Sequence, residues 1–262
     1  RRALYPAMLQ QANRFYGAEL ERIPAGELKE KIQAFLQHVS ERYLLMTRIG
    51  IMAHHFQLRQ QLNEENLVAW KLLPDNGSGL NQLVVCASDT TGLFSNLCGS
   101  ITAKGINIRS ARISSTTDGY ALNTFDVTDM ENRTLPVEYR IERLRRDLNQ
   151  VLHGRKAIDQ LMSEHRARSR RRPRREAPHP DSVSFDNDSS QECTIIEVRT
   201  SDRAGVLFAI TGALTECMLD IQRAMIGSEA YGVVDVFYVT DLEYNKIHDE
   251  SRCGKIEVTI LN

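Results

Sequence analysis

Two segments of this chain repeat one pattern in the same register. The first opens with Asp89–Phe94 and runs to Ile113, and the second opens with Asp202–Leu207 and runs to Ile226. The aligned residues include Gly92 with Gly205, Leu97 with Ile210, Asn107 with Asp220 and, after a one-residue slip, Phe125 with Phe237. Two copies at so long a spacing are too few for a solenoid, so the pattern predicts two small domains in tandem.

The length and composition agree with a two-domain chain. It has 262 residues, 42% of them hydrophobic and 26% charged, and its formal net charge is −1. These values are typical of globular proteins, and no apolar run approaches the ~18–20 residues of a membrane helix. The five cysteines lack CxxC spacing and indicate neither a disulfide framework nor a zinc site. Because no secretion signal is evident, the chain is expected to be cytoplasmic.

One local charge bias departs from this average. Residues 166–175 hold seven arginines and a proline but no acidic residue. Such a block repels itself and cannot form a core, so an Arg/Pro-rich loop is predicted at 155–181. A solvated linker is the simple interpretation of this loop. A surface for acidic protein or nucleic acid is the alternative.

Residues 1–78 are predicted to be a helical connector that continues from a segment further upstream. Their apolar residues recur at helical spacing, most clearly in Leu28–Val39, and another amphipathic segment runs from Gln57 to Trp70. The adjacent His54 and His55 are not expected to bind a metal, because neighbouring side chains of a helix point in different directions.

Each copy is predicted to be strand, helix, strand, strand, helix. In the first copy these are a strand at Leu83–Ser88, a helix at Thr91–Lys104, strands at Ile106–Ser114 and Tyr120–Thr128, and a helix from Thr134 that Gly154 ends. With a closing strand the order becomes βαββαβ, so the predicted fold class is α+β, with two ferredoxin-like domains after the helical connector. The first domain is assigned to residues 80–188 and the second to residues 191–262.

The sequence leaves the closing strands open. Val183–Phe185 either completes the first sheet or forms a hairpin with Thr194–Val198 and completes the second. The segment Asp249–Asn262 is either a short helix or, at Lys255–Ile260, a strand of the second sheet.

The repeated strand-to-helix turn has two possible roles. Asp89 is a good helix N-cap and Gly92 lets the helix pack closely on the strand, which would be a structural role. A helix N-terminus is also a ready site for a carboxylate, and a polar residue, Asn107 or Asp220, begins the next strand of each copy. Donors for a carboxylate and an acceptor for an ammonium group together predict binding of a free amino acid.

With these residues the repeats resemble the ACT domain, a small-molecule sensing module. The shared pattern is Asp-x-x-Gly-[Leu/Val]-[Phe/Leu], a helix, then Ile-Asn-Ile or Leu-Asp-Ile and a glycine hairpin. Segments such as Arg42–Leu45 and Val183–Ser189 extend the resemblance, over about residues 28–245, to the carboxyl-terminal region of the bacterial PII uridylyltransferase/uridylyl-removing family. The first copy departs from the family at Thr90 and Thr91, where Arg-Pro is usual.

The resemblance implies a glutamine-sensing regulatory region that controls nucleotidyltransferase and hydrolase domains outside this chain. PII protein would be the partner of those domains and Mg²⁺ their cofactor, whereas no cofactor, metal or catalytic residue is expected within this chain. The implied ligand-binding residues are Asp89, Thr91, Gly92, Leu93, Phe94, Asn107, Asp202, Arg203, Gly205, Val206, Leu207 and Asp220.

An RNA-binding domain is the competing hypothesis, because the order βαββαβ also describes the RNA recognition motif. Gly119–Phe125 partly matches the aromatic strand of that motif, and the Arg-rich segment follows it. Asp118 and Leu122 depart from the pattern, since a basic and an aromatic residue are expected there. An enzyme complete within this chain is not expected, because no nucleophile–base or metal constellation is visible.

Overall fold

The structure is a computed structural model that describes residues 3–21, 23–75, 77–129, 131, 133–135, 139–158, 160–163, 180–201, 205–229 and 232–262. The central part of the predicted Arg/Pro-rich loop, 164–179, lies outside these residues. The helices are α1 (Leu4–Leu20), α2 (Ala25–His38), α3 (Glu41–Met46), α4 (Ile49–Arg59), α5 (Leu93–Ala103), α6 (Tyr139–Leu152), α7 (Val206–Glu216) and α8 (Glu250–Leu261). No helix of the described chain is both long enough and apolar enough to cross a membrane.

The strands of the described residues form one sheet in the order β1-β2-β4-β3-β7-β8-β6-β5. They are β1 (Val68–Leu73), β2 (Asn81–Ser88), β3 (Ile106–Arg112), β4 (Tyr120–Asp129), β5 (Ser182–Asp186), β6 (Thr194–Thr200), β7 (Leu219–Glu229) and β8 (Gly232–Asp241). The α+β fold class and the strand, helix, strand, strand order of both copies are confirmed.

Contacts along the chain define two compact units. The first comprises Arg1–Leu73, Leu83–Asp89 and Ile113–Thr124, and the second comprises Pro74–Gln82, Thr90–Arg112 and Phe125–Asn262. Strands β2 and β4 contribute residues to both units. The domain boundaries taken from the sequence stay a prediction.

The first unit is built around the amino-terminal helices. Its core joins apolar side chains of α1, α2 and α4 to those of the sheet, among them Met8, Ile32, Leu36, Met52, Phe56, Val84, Cys86 and Leu122. The helix expected over Gln57–Trp70 is wrong beyond Arg59, where α4 ends, and Val68–Leu73 is strand β1. Val68, Ala69 and Trp70 are buried in succession, a pattern typical of a strand covered on both faces rather than of an amphipathic helix.

The adjacent histidines of α4 belong to this core, and each contacts a tyrosine. The Tyr16 hydroxyl lies beside His54 Nδ1, and the Tyr43 hydroxyl is 2.9 Å from His55 Nδ1. His55 Nε2 is 3.2 Å from the carbonyl oxygen of Asn123, which can only accept, so Nε2 carries the proton of a neutral ring. Burial is the main cause that lowers the pKa of both histidines to about 4.

In the second unit the two copies are related by a pseudo-twofold axis. Strands β3 and β7 pair antiparallel, and Ala111 faces Ala224, its own aligned residue. The helices obey the same relation: Ser95 Oγ donates to the carbonyl oxygen of Phe208, its aligned residue, at 3.2 Å. The same surface of each copy therefore meets its counterpart, so the repeat forms an isologous contact within one chain.

The outer strand of the second sheet comes from the segment before the second copy. Strand β5 pairs antiparallel with β6, with Val183 opposite Val198, so the hairpin alternative is confirmed and the completion of the first sheet by Val183–Phe185 is wrong. In the first copy β1 occupies the corresponding place beside β2. The final segment is helix α8, capped by Asp249, because Ile256 and Ile260 are buried at helical spacing.

Two aligned glycines, Gly99 of α5 and Gly212 of α7, offer a matched test of this packing. A methyl group at Gly99 would lie 2.9 Å from Phe208 Cδ2, whereas one at Gly212 would lie 3.7 Å from Ser95 Oγ. We expect Gly212→Ala to raise the free energy of unfolding by about 0.5–1 kcal/mol, because alanine favours a helix. Gly99→Ala should forfeit that gain by overpacking, at a cost of about 1 kcal/mol or more. Equal shifts in urea unfolding would contradict the packing described.

The buried histidines predict acid sensitivity. Above pH 6.5 both rings are neutral in the folded and unfolded states. As the pH falls from 6.5 to about 4, only the unfolded state takes up protons readily, so stability is lost across that interval. For the fully buried His55 the loss is about 3 kcal/mol by pH 4.

Thermal unfolding between pH 7.5 and 4.5 measures this effect. The double variant His54→Gln/His55→Gln should show a flatter pH dependence, because it removes both buried rings. A wild-type melting temperature that does not move over this range would show that these rings are protonated without cost.

Candidate functional site

The repeated turns end on glycines with left-handed backbones. Gly92 has φ +76° and precedes α5, and Gly205 has φ +87° and precedes α7. Such angles are easy for glycine and strained for residues with a side chain, which explains why the turn keeps glycine in both copies. In the first copy the Leu93 N–H donates to the Thr90 carbonyl at 3.0 Å and closes a tight turn before the helix begins.

This tight turn overturns the expected cap. Neither helix has a side-chain hydrogen bond at its N-cap, so the assignment of Asp89 as the cap of α5 is wrong. Thr90–Gly92 separates Asp89 from the helix, and the Asp89 N–H instead donates to the Gly119 carbonyl at 3.0 Å. Asp202 and Arg203, the corresponding residues of the second copy, lie outside the described residues.

The apolar residues after each glycine are core residues. Leu93, Val206 and Leu207 are buried, and the ring of Phe94 stacks on that of Phe125 with centroids 5.9 Å apart. Their side chains anchor the helix starts to the protein. The chemistry that the turns can offer a ligand therefore lies in the backbone of Thr91–Gly92 and the first helical turn, where the helix dipole favours a negative group.

Asn107 and Asp220, the polar residues that begin strands, lie across the pseudo-twofold axis from the turns of their own copies. Helix α5 is 11 residues long, so Asn107, which follows it, is about 16 Å from Gly92 along the helix axis. Strand β3 runs back along α5 and ends near the Gly92 end, and β7 is antiparallel to β3 and starts there. Asp220, second in β7, therefore belongs to the Gly92 end of the sheet, and Asn107 by symmetry to the Gly205 end.

Asp220 also has a partner of its own, because its Oδ2 accepts from Gln222 Nε2 at 2.6 Å. Strand alternation places its side chain on the face opposite to Ile221. Both Asn107 and Asp220 are half-buried. Their assignment as ligand residues, like that of the turns, stays a prediction.

A second repeated turn was visible in the alignment, but its role was missed. Asp129 Oδ1 accepts the N–H groups of Glu131 and Arg133, each at 2.8 Å, and Asp241 Oδ1 does the same for the two matching residues after it. The backbone donors of Arg133 and Asn245 are the largest causes that lower the pKa values of these carboxyls. Both aspartates end strands and are structural.

The structure removes the aromatic part of the basis for the RNA-binding alternative, whereas the Arg-rich segment lies outside the described residues. Phe125 is completely buried, and the guanidinium of Arg59 covers the ring of Tyr120 at 3.6 Å. Neither aromatic ring is open to a base, as stacking recognition requires. In the described part of the chain, no group of three or more His, Cys, Asp or Glu side chains could hold a metal ion.

Comparison with known proteins adds an independent result. A model of the ACR family N-terminal ACT domain matches residues 189–262. Bifunctional uridylyltransferase/uridylyl-removing enzymes are similar over most of the chain: that of Rhodospirillum rubrum is 33% identical over 84% of it, that of Gluconobacter oxydans 37% over 70%, and that of Azospirillum brasilense 32% over 78%. The matched region is 23%, 19% and 22% of those relatives, so the chain spans about a quarter of their length or less.

Proposed function

We propose that this chain is a regulatory region that binds glutamine, because an ACT-domain model matches its second copy and most of the chain is similar to bifunctional uridylyltransferase/uridylyl-removing enzymes. Its ligand sites are the two strand-to-helix turns. The observation that carries the proposal is the pair of uncapped helix starts, Gly92–Leu93 and Gly205–Val206, related by the pseudo-twofold axis.

Each half of a free amino acid has a group to meet in this arrangement. The α-carboxylate would accept from the N–H groups of the first helical turn, since the N-cap residue of each helix is a glycine without a capping side chain. The ammonium or the side-chain amide would meet the polar strand start of the other copy, Asp220 for the first turn and Asn107 for the second. Each site would then need both copies, so occupancy would report on how the copies are packed.

Control of an enzyme by this region requires a difference in affinity between two states. A ligand that binds both states equally shifts nothing, and a typical coupling is ~1–3 kcal/mol. We propose that the controlled activities are those of a parent cytoplasmic enzyme acting on PII protein, with Mg²⁺ in its catalytic domains.

The first test is calorimetry on this chain with L-glutamine. Binding with heat is expected, and D-glutamine should bind more weakly, because inverting the α-carbon misplaces either the carboxylate or the ammonium. If neither L-glutamine nor any other common amino acid binds, the glycine turns have only their structural role.

The cross-copy pairing makes a sharper prediction about double variants. The methyl group of Gly92→Ala has room, but a side chain strains the left-handed backbone of the turn. Gly92→Ala and Asp220→Ala should therefore each weaken the first site. The double variant Gly92→Ala/Asp220→Ala should keep one intact site, whereas Gly92→Ala/Asn107→Ala should damage both. The stoichiometry from calorimetry distinguishes these outcomes. One remaining site in the Gly92→Ala/Asn107→Ala variant would show that each copy forms its site alone.

A further inference from the structure

The tip of the β3–β4 hairpin contacts the first turn on one side. The Gly119 carbonyl accepts the N–H of Asp89, the residue that opens the turn, at 3.0 Å. The tip is itself closed by the Gly119 N–H, which donates to the Thr116 carbonyl at 3.1 Å, and by Thr116 Oγ1, which donates to Asp118 Oδ1 at 2.6 Å. A displacement of Asp89 therefore acts on a braced loop rather than on a loose one.

On its other side the same tip contacts the ends of two helices. The Thr117 N–H donates to the carbonyl of His38, the last residue of α2, at 2.9 Å, and Thr117 Oγ1 lies 2.8 Å from His38 Nδ1. Arg59, the last residue of α4, donates to Asp118 Oδ2 at 2.6 Å. Three consecutive hairpin residues thus connect Asp89 to α2 and α4, and all of these residues belong to the first unit.

Arg59 is the centre of this connection, because its guanidinium is held on two sides. Its Nη2 donates to Asp118 Oδ2 at 2.6 Å, and its Cζ lies 3.6 Å from the centre of the Tyr120 ring. Burial alone would raise the pKa of Asp118, but the hydrogen bonds from Arg59 and Thr116 outweigh burial and lower it. The pair stays charged at neutral pH.

The surroundings of the pair leave room for movement. A groove of about 230 Å³ opens beside it, lined by Lys31, Phe35, His38, Arg59, Gln60 and Asp118. The hairpin tip is therefore held to the helices by directed polar contacts next to open volume, not by a packed apolar interface. Polar, partly exposed contacts of this kind rearrange at a lower cost than a close-packed core.

We propose that residues 116–119 are the element that couples the first ligand turn to the amino-terminal helices, with Arg59 and Asp118 as its latch. This inference rests on the proposed function for its ligand, and it assigns the regulatory signal to the first turn. Occupancy that shifts Asp89 moves Gly119, and the latch passes this movement to the ends of α2 and α4. Arg59 and Asp118 are positioning residues in this scheme and do not touch the ligand.

Hydrogen exchange of the whole chain, without ligand, tests the coupling in both directions. Arg59→Lys keeps the charge but loses the planar contact with Asp118 and Tyr120. It should speed exchange of the amides at 89–96, which Arg59 does not contact, by about fivefold, the lower end of typical allosteric coupling. Reciprocally, Gly92→Ala should speed exchange at the ends of α2 and α4. Asp118→Asn, a second variant of the latch, should act as Arg59→Lys does.

Asp147→Asn is the matched control, because Asp147 forms a partly buried ion pair with Lys104 outside the hairpin. It should leave exchange at 89–96 and at the ends of α2 and α4 unchanged. Effects of Arg59→Lys confined to the helices, or of Gly92→Ala confined to the turn, would overturn the proposal. So would an equal response to Asp147→Asn.

Addition of L-glutamine separates this inference from the function on which it rests. If glutamine binds, exchange at the ends of α2 and α4 should change in the wild type and not in Arg59→Lys. If glutamine gives no heat in calorimetry, the proposed function fails, and the ligand-free variants still decide whether the hairpin couples the two regions.

Discussion

The antiparallel pairing of β3 with β7 is the interaction on which the arrangement of the two copies depends. Ala111 faces Ala224 at its centre, and both are buried. Helices α5 and α7 also bring aligned positions together, as the hydrogen bond from Ser95 to Phe208 shows. The pairing also covers an edge strand of each copy that would otherwise be open to other chains. It brings the turn of one copy to the strand start of the other.

Much of this fold could be predicted from the sequence, and the repeat explains why. Strand β2, helix α5 and strands β3 and β4 were each expected within a few residues, because hydrophobic period and glycine stops act locally. The same signals recur in the second repeat and predict its corresponding elements. The outer strands could not be assigned in this way. Val68–Trp70 was expected to end an amphipathic helix, and Val183–Phe185 was expected to be a strand that could join either sheet. Pairing with a neighbouring strand decides both, and this non-local term is not contained in periodicity.

The candidate site was predicted less completely, for two physical reasons. Asp89 has a good capping side chain, but the left-handed Gly92 starts the helix three residues later and directs Asp89 to the hairpin. Asn107 follows the turn of its own copy in the sequence, but helix α5 lies between the two and separates them in space. Arg59 and His38 gave no signal at all, since their role depends on a hairpin tip about 60 to 80 residues away in the chain.

The proposed ligand site at each turn is shared between the two copies. Nuclear Overhauser effects from bound L-glutamine to the backbone amides of the labelled chain can detect this sharing. One glutamine should give contacts to Gly92–Phe94 and to the start of β7, and a second should give contacts to the Gly205 turn and to the start of β3. Contacts that join Gly92 to Asn107, or that avoid both turns, would contradict it.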